Sequence, residues 1–389
     1  MRSPCFFPRA LAFRGNVGMT QSERPATRAS TPHVSCLFGH NQKVAGRGDS
    51  PLQAVPQDPI VLRAPPEVLS LPPTTAIFGT TGGRPPFTRP PTRRTALRSF
   101  VAHTSPLMEP FSPTRRGTLT TQDGLSLHTQ WRRPAAAPRA TVVIVHGYAE
   151  HCDRYGNVAR AFTDAGAAVF AYDQRGCGRS GGRPAYVDHF DQYLDDLDRF
   201  LAFVRSQEPD APLFLFGHSM GGLVALKYVL DRPPAIAGLM LSAPALEVNP
   251  DLAPVVRRLA QTLGRLVPTL PTVRSPDGAL SRDPSVVRAA QEDPLNYHGR
   301  IPARTGAELL RTGASVRARL DELDRPFLVV HGTADPLAEP KWSRRLYNRA
   351  AAADKALRLY DGRYHESFHD YGRDEVLADL SGWLRERSP

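Results

Sequence analysis

Long apolar runs are missing from this chain of 389 residues. A helix that spans a bilayer needs about 20 consecutive apolar residues, so we expect no membrane-spanning helix. Cysteine is also scarce, with four residues, at 5, 36, 152 and 177, and no C-x-x-C pair. This spacing indicates neither a disulfide framework nor a structural zinc site. We therefore predict a soluble protein of a reducing compartment, located in the cytoplasm, with peripheral membrane contact as an option.

Acidic residues are scarce in the first quarter of the chain. Residues 1–107 contain 13 Lys and Arg against 4 Asp and Glu, with 16 of the 38 prolines, whereas residues 108–389 contain 36 basic and 34 acidic residues. Most of the formal charge of +11 therefore belongs to the first segment. The remaining chain is almost neutral, so its charge indicates no nucleic-acid partner.

Residues 1–107 also lack a sustained helical or strand periodicity, and Pro-Pro pairs interrupt them. We interpret them as a disordered leader. An organelle transit peptide and a tail for acidic partners are alternatives, but a secretory signal is excluded because Pro8 and Arg9 break its apolar run. The composition changes at Met108, which favours the hypothesis that the natural protein starts there.

From Met108 onward, strand and helix patterns alternate. A hairpin with Asp-Gly at its turn is predicted over 117–131. Further strands are predicted at 141–145, 167–172, 213–216, 238–242, 326–331 and 356–360, and helices at 155–165, 188–206, 222–230, 340–352 and 374–385. The run at 213–216 alone also fits a buried helix segment. The alternation predicts an α/β domain, with helices on both faces of a mostly parallel sheet.

One five-residue turn, Gly217-His218-Ser219-Met220-Gly221, fits G-x-S-x-G between a predicted strand and a predicted helix. This context is that of a nucleophile elbow, a strained turn that presents a reactive serine. The alternative is a glycine-rich loop that contains a serine by chance. We predict Ser219 to be the nucleophile.

A serine nucleophile needs a base, and the base needs an acid that orients it. On this type of sheet the expected chain order is serine, acid, histidine, each after a strand. Asp335 and His365 satisfy this order. Alternatively, Asp335 caps a helix or forms an Asp-Pro turn, and His365 is an ordinary histidine, with His369 as a spare base.

The oxyanion of an acyl-transfer intermediate needs backbone donors. We predict the N–H of Met220 and, from the loop after strand 141–145, the N–H of Tyr148. His146 and Gly147 would shape that loop. A metal-binding pair of His146 and His151 is the rival interpretation, but the two lie five residues apart with no further ligands, so we predict no metal.

Several motifs together resemble the monoacylglycerol lipase family of α/β-hydrolases, which also includes bacterial lysophospholipases. They are HGYAEH at 146–151, DQRGCGRS at 173–180, GHSMGG at 217–222, GTAD at 332–335 and Tyr-His at 364–365. The resemblance extends from about Met108 to the C-terminus.

This resemblance implies an α/β-hydrolase fold with an eight-stranded sheet, no cofactor, and hydrolysis of single-chain acyl esters of glycerol by Ser219, Asp335 and His365. The candidate substrate-binding residues are Glu150, His151 and Arg154. Whether Glu150 touches glycerol hydroxyls or braces its loop stays open. Some members carry a tyrosine where this chain has Ala290, so a headgroup contact from that tyrosine is not carried over.

Residues 245–324 interrupt the domain formed by 108–389, and similar enzymes have a cap over the active site there. A helical apolar stripe is predicted at Leu252, Val255, Val256, Leu259, Leu263 and Leu266, with arginines beside it, and a second helix at 306–319. The stripe either lies on an anionic membrane surface or packs on its own domain.

Three functions follow from these patterns. The first is hydrolysis of monoacylglycerols through an acyl-serine. The second keeps the same triad but acts on lysophospholipids, small esters or peptide amides. The third is a non-catalytic binding protein with a hydrolase fold. The sequence predicts no oligomeric state.

Overall fold

The structure, a computed structural model, describes residues 61–63, 109–232, 235–247, 253–274 and 277–389. Apart from a short strand at 61–63, the leader that we predict to be disordered lies outside the described residues. The predicted domain boundary near Met108 therefore stays a prediction.

The elements of the described chain alternate between strands and helices. The strands are β1 (Val61–Arg63), β2 (Arg115–Thr120), β3 (Ser126–Arg132), β4 (Ala140–Val145), β5 (Ala167–Tyr172), β6 (Leu213–His218), β7 (Gly238–Ser242), β8 (Phe327–Gly332) and β9 (Lys355–Tyr360). The helices are α1 (Gly156–Asp164), α2 (Asp191–Gln207), α3 (Met220–Asp231), α4 (Pro254–Leu266), α5 (Pro284–Glu292), α6 (Ala303–Ala318), α7 (Pro340–Arg349) and α8 (Arg373–Glu386).

The described strands form one sheet in the order β1-β9-β8-β7-β6-β4-β5-β3-β2. The neighbouring strands β5, β4, β6, β7, β8 and β9 run parallel to one another, whereas β3 pairs antiparallel with β2 and β5. The eight strands β2 to β9 confirm the predicted sheet. The ninth, β1, comes from the leader and pairs in parallel with β9 at the edge, which the sequence pattern did not predict.

The central strands are buried along their whole length, which explains why they appear in the sequence as unbroken apolar runs. On one face, α1 and α8 cover the sheet with side chains such as Phe162 and Trp383. On the other face, α2, α3 and α7 contribute side chains such as Leu197, Val224 and Leu346. The sheet thus lies between two helical layers, as predicted.

One predicted helix begins later than expected, and one observed helix was not predicted. The α2 helix begins at Asp191 rather than 188, because Gln192 Oε1 accepts the N–H groups of Asp188 and His189 in the turn before it. The α5 helix was not predicted. Its signal was nevertheless present, because Asp283 caps the helix by accepting the Ser285 N–H at 2.8 Å, with a proline at the first helical position.

The predicted cap insertion contains α4, α5 and α6. Hydrogen bonds join α6 to the body, since Thr305 Oγ1 donates to Ala185 O at 3.1 Å and Glu308 accepts the Phe190 N–H at 2.9 Å. The α4 helix lies directly on α6. A Cβ added at Gly264 would lie 2.7 Å from the Ala307 Cβ, so only glycine permits this approach.

The apolar stripe of α4 faces outward. Val255 is 72% exposed, Leu259 56% and Leu266 75%. The helix does pack on α6, at Gly264, but the alternative in which the apolar stripe itself makes that contact does not hold for Val255, Leu259 and Leu266. Leu252 lies outside the described residues. Among the described helices, none combines the length and apolar character that a bilayer crossing requires.

Candidate active site

The predicted site residues emerge at the carboxyl ends of neighbouring strands. In the sheet register, Val145 of β4 lies beside Gly217 of β6, and Gly332 of β8 lies beside Tyr360 of β9. The chain order reverses between β4 and β6, and such a switch point is where ligands bind in open α/β sheets. The loops after these strands therefore meet at one edge.

Ser219 lies on a strained turn between β6 and α3. Its backbone has φ 51° and ψ −117°, a conformation that costs about 1–3 kcal/mol for a residue other than glycine. The turn is held by the Ser219 N–H, which donates to Ser242 O at 2.9 Å. A Cβ at Gly221 would overlap the carbonyl oxygens of Val145 and His146, so the elbow requires glycine there. These features are those of the predicted nucleophile elbow.

Asp335 and His365 form a direct hydrogen bond. His365 Nδ1 lies 2.7 Å from Asp335 Oδ2, and both side chains are buried. Burial alone would raise the pKa of Asp335, but the charge of His365 and the hydrogen bonds from His331 and His365 outweigh it and hold this pKa well below its usual range. Burial lowers the pKa of His365, yet the Asp335 carboxylate outweighs it and the net pKa is raised above 6.5.

His365 also lies next to the elbow. Its ring centroid is 4.8 Å from that of His218, the residue before Ser219. Burial and the neighbouring His365 lower the pKa of His218 to about 4, so His218 is neutral at pH 7. In the described chain no hydrogen bond joins Ser219 Oγ to His365. Such catalytic bonds are often long until substrate binds.

The loop after β4 lies against Ser219. A Cβ added at Gly147 would lie 3.4 Å from Ser219 Cβ. The Gly147 N–H donates to Glu150 Oε1 at 2.6 Å. Within the described residues, the N–H groups of Tyr148 and Met220 have no acceptor, so both are available as the predicted oxyanion donors.

Glu150 belongs to a buried charge network beneath this loop. Arg154 donates to Glu150 Oε2 at 2.8 Å and to both oxygens of Glu366 at 2.6 and 2.7 Å, and His369 Nδ1 lies 2.9 Å from Glu366. Burial would raise the pKa of each carboxyl group, but Arg154 outweighs it and both pKa values are lowered. His369, the spare base, is thus paired with Glu366 rather than with Asp335.

The network shows that the Glu150 side chain braces the loop after β4. It accepts hydrogen bonds from the Gly147 N–H and from the Tyr155 hydroxyl at 2.7 Å. Arg154 is 2% exposed. A substrate contact by either residue stays a prediction.

His151 joins the same loop to the cap. Its Nε2 lies 2.8 Å from Asp293 Oδ2, and the Tyr297 N–H donates to Ala149 O at 2.9 Å. Sequence reasoning missed Glu366 and Asp293, because their partners lie more than 140 positions away in the chain. Substrate binding by His151 stays a prediction as well.

One cluster has side chains of metal-binding type. Atoms of His128, Cys152 and Asp173 lie within 4.8 Å of one another. However, the two oxygens of Asp173 accept the N–H groups of Cys152 and Arg179, both at 2.8 Å, so this carboxylate already braces its loop. His146 accepts the Gln174 N–H at 2.8 Å, and we assign no metal to either location.

A family model described as "Serine aminopeptidase, S33" matches residues 136–372. The chain belongs to this family. It is also 38% identical over 251 residues to a monoacylglycerol lipase of Mycolicibacterium smegmatis, covering 64% of this chain and 90% of that protein. It is 31% identical to the monoglyceride lipase of Rattus norvegicus, covering 69% of this chain and 90% of that protein.

A solved structure supports the same relationship. The monoacylglycerol lipase of Paleococcus ferrophilus is 32% identical and superposes with a TM-score of 0.61, covering 67% of this chain and 99% of that structure. The resemblance inferred from the motifs is thereby confirmed, as are the α/β-hydrolase fold and the enzyme class, a serine hydrolase of carboxylic esters.

Proposed function

We propose that this enzyme hydrolyses monoacylglycerols to fatty acid and glycerol, with Ser219, Asp335 and His365 as its triad. The observation that carries this proposal is the hydrogen bond between Asp335 and His365, formed at the strand ends beside a strained elbow serine. The monoacylglycerol and monoglyceride lipases to which the chain is similar support the choice of substrate.

The reaction begins with His365 taking the hydroxyl proton of Ser219 while Oγ bonds to the ester carbon. Asp335 stabilises the resulting imidazolium. The ester C–O bond then breaks, and His365 gives the proton to the departing glycerol oxygen. A water molecule then bonds to the acyl carbon while His365 takes its proton, the bond from Ser219 Oγ to that carbon breaks, and His365 returns the proton to Oγ as the fatty acid leaves.

The negative oxygen of both tetrahedral intermediates would accept hydrogen bonds from the N–H groups of Tyr148 and Met220. A donor of this kind contributes about 3–4 kcal/mol to lowering the barrier. The brace from Glu150 to Gly147 supports this role, because it fixes the loop without using the Tyr148 N–H.

Replacing Ser219 with Ala tests the chemistry. We expect hydrolysis of a short p-nitrophenyl ester to disappear, since no nucleophile remains. Ser381→Ala, which removes a buried hydroxyl on α8, is the matched control and should stay active. Activity of Ser219→Ala within about tenfold of wild type would contradict the assignment.

A panel of substrates tests the specificity. The purified chain should hydrolyse monoacylglycerols faster than lysophosphatidylcholine, triacylglycerols, small esters and aminoacyl amides. A preference for lysophosphatidylcholine or for small esters would leave the triad intact but replace the proposed substrate. No activity on any of these, together with no labelling of Ser219, would favour the non-catalytic alternative.

We infer in addition that the outward face of α4 rests on a lipid surface. Val255, Leu259 and Leu266 expose apolar side chains, and Arg258 and Arg265 are exposed beside them. This combination favours an anionic membrane surface. The cytoplasmic location stays a prediction.

The triple variant Val255→Ser, Leu259→Ser and Leu266→Ser should bind anionic vesicles more weakly and hydrolyse monoacylglycerol presented in them more slowly. Hydrolysis of a water-soluble ester should not change. Tyr371→Ser, which removes another exposed apolar side chain, is the control. Equal vesicle binding by the triple variant and wild type would exclude this surface.

A further inference from the structure

We propose that His331 is a positioning residue, which holds the Asp335 carboxylate in place and shares its negative charge with His365. The inference rests on the proposed triad. His331 is the last residue but one of β8, four positions before Asp335, and it is fully buried.

The contacts of His331 lead from the sheet to the triad. Its Nε2 lies 3.0 Å from Asp335 Oδ2 and 3.0 Å from the carbonyl oxygen of Ala338. Its Nδ1 lies 2.6 Å from the hydroxyl of Ser343, a buried residue of α7. The ring is therefore held on both sides, by β8 through its own backbone and by α7 through Ser343.

These partners determine the position of one proton. A carboxylate oxygen and a carbonyl oxygen can only accept, so Nε2 of His331 must carry the hydrogen. When the ring is neutral, Nδ1 accepts the hydroxyl hydrogen of Ser343. Every nitrogen of the ring then has a partner, and His331 donates to Asp335.

The Asp335 carboxylate consequently has donors on both of its oxygens. Oδ1 accepts the N–H groups of Leu337 at 2.8 Å and Ala338 at 3.1 Å, while Oδ2 accepts from His331 and from His365. The two imidazoles share a single oxygen. That geometry fixes the direction in which Oδ2 points. It also weakens the electrostatic stabilisation that the carboxylate gives to a protonated His365, because Oδ2 has a second donor.

Removal of the donor at 331 should therefore have two effects. Asp335 becomes freer to rotate about its Oδ1 contacts, so kcat should fall while KM changes little. The charge on Oδ2 is also no longer shared, so the imidazolium of His365 is stabilised and the acid limb of the pH profile moves to higher pH. The other charged or titratable groups facing His365, namely His218, Glu150 and Glu366, are unchanged.

The test compares His331→Gln, His331→Asn and His331→Leu in the full chain. The glutamine amide nitrogen can occupy the position of Nε2 and donate to Asp335, whereas the asparagine nitrogen corresponds to Nδ1 and the leucine has no donor. Ser343→Ala removes the other partner of His331 without removing the bond to Asp335. Thermal unfolding of each variant is recorded in parallel.

Two quantities are measured as a function of pH, namely kcat/KM for a soluble ester and the rate constant for labelling of Ser219 by a fluorophosphonate. For the Asn and Leu variants we expect about a tenfold loss of kcat and an upward shift of the acid limb by about half a pH unit. For Gln we expect kcat within about threefold of wild type and an unshifted limb. For Ser343→Ala we expect an unshifted limb, because the bond from His331 to Asp335 remains, and a loss of kcat smaller than that of the Asn and Leu variants, because the ring loses one of its supports.

An acid limb that stays in place in the Leu and Asn variants would overturn the proposal. So would an equal shift in all three variants, because packing rather than the hydrogen bond would then be responsible. If the Leu and Asn variants do not fold, the pH profiles of Ser219 labelling in the Gln and Ser343→Ala variants decide. A shifted acid limb in the Gln variant would then overturn the proposal, because this variant keeps a hydrogen bond to Asp335. Failure of the triad itself is recognised separately, by an active Ser219→Ala variant.

Discussion

The residues beneath the candidate active site and the outward face of helix α4 are built in opposite ways. Under the site, Glu150, Arg154 and Glu366 are all less than a tenth exposed and are joined by charged hydrogen bonds. On α4, Val255 and Leu266 expose about three quarters of their surface to solvent and make no comparable directional contact. The first region fixes the positions of its side chains, and the second exposes an apolar surface.

The two regions differ because they need different degrees of precision. Proton transfer depends on distances of about 3 Å, and a buried charge network resists displacement because each broken bond leaves a desolvated charge. Contact with a lipid surface depends on apolar area rather than on particular atoms. We therefore expect substitutions in the first region to be costly and specific, and those in the second to be tolerated.

The largest effect should come from Asp335→Asn. This change keeps the shape of the side chain but removes the charge that stabilises the imidazolium, and the amide disturbs the arrangement of protons between positions 335 and 365. A loss of about 10³–10⁴ in kcat is expected from serine hydrolases with comparable triads. Asp361→Asn, at the exposed end of the neighbouring strand, is the control and should retain activity in the same steady-state assay.

The second largest effect should be on stability. Arg154→Met removes the cation that bridges the buried carboxylates of Glu150 and Glu366, which should cost about 3–5 kcal/mol in the free energy of unfolding. Arg160→Met, at the surface ion pair with Glu109, should cost less than about 1 kcal/mol. Urea unfolding of both variants makes the comparison, and equal losses would show that the network is no more critical than a surface pair.

A smaller effect is expected where the cap does require precision. Gly→Ala in a helix ordinarily stabilises by up to about 1 kcal/mol, and Gly306→Ala on α6 should do so because its added Cβ meets only Ile301, at 3.6 Å. Gly264→Ala should instead destabilise by about 1–3 kcal/mol, since the methyl group overlaps α6. Thermal unfolding and proteolytic cleavage within the cap distinguish the two. Equal behaviour would contradict the close contact of α4 and α6.

The smallest effect concerns the pH dependence of kcat/KM. The proposed base His365 can accept a proton only when it is neutral, so kcat/KM should rise with pH through its pKa. Because Asp335 raises that pKa, the acid limb should lie above pH 6.5. The pH profile of wild type measures it, and a limb below this value would show that the carboxylate does not stabilise the imidazolium.

The strands, and the placement of Ser219, Asp335 and His365 after strands, could be predicted because they depend on local pattern. A buried parallel strand such as β4 is an apolar run, and Ser219 lies in a turn whose glycines are required by close contacts, at Gly221 with the end of β4 and at Gly217 with the start of α3. The partners of Arg154 and His151 could not be predicted, since Glu366 and Asp293 reach them only through the folded chain. The direction in which the α4 stripe faces could not be predicted either, because a periodic pattern identifies an apolar face but not what that face contacts.

The most direct test of the whole account is labelling by a fluorophosphonate probe followed by mapping of the modified peptide. We predict rapid modification of Ser219 in wild type, at least a hundredfold slower modification in His365→Ala, and none in Ser219→Ala. Labelling that is equally fast without His365, or that occurs on another serine, would contradict the claim that these side chains act as one catalytic unit.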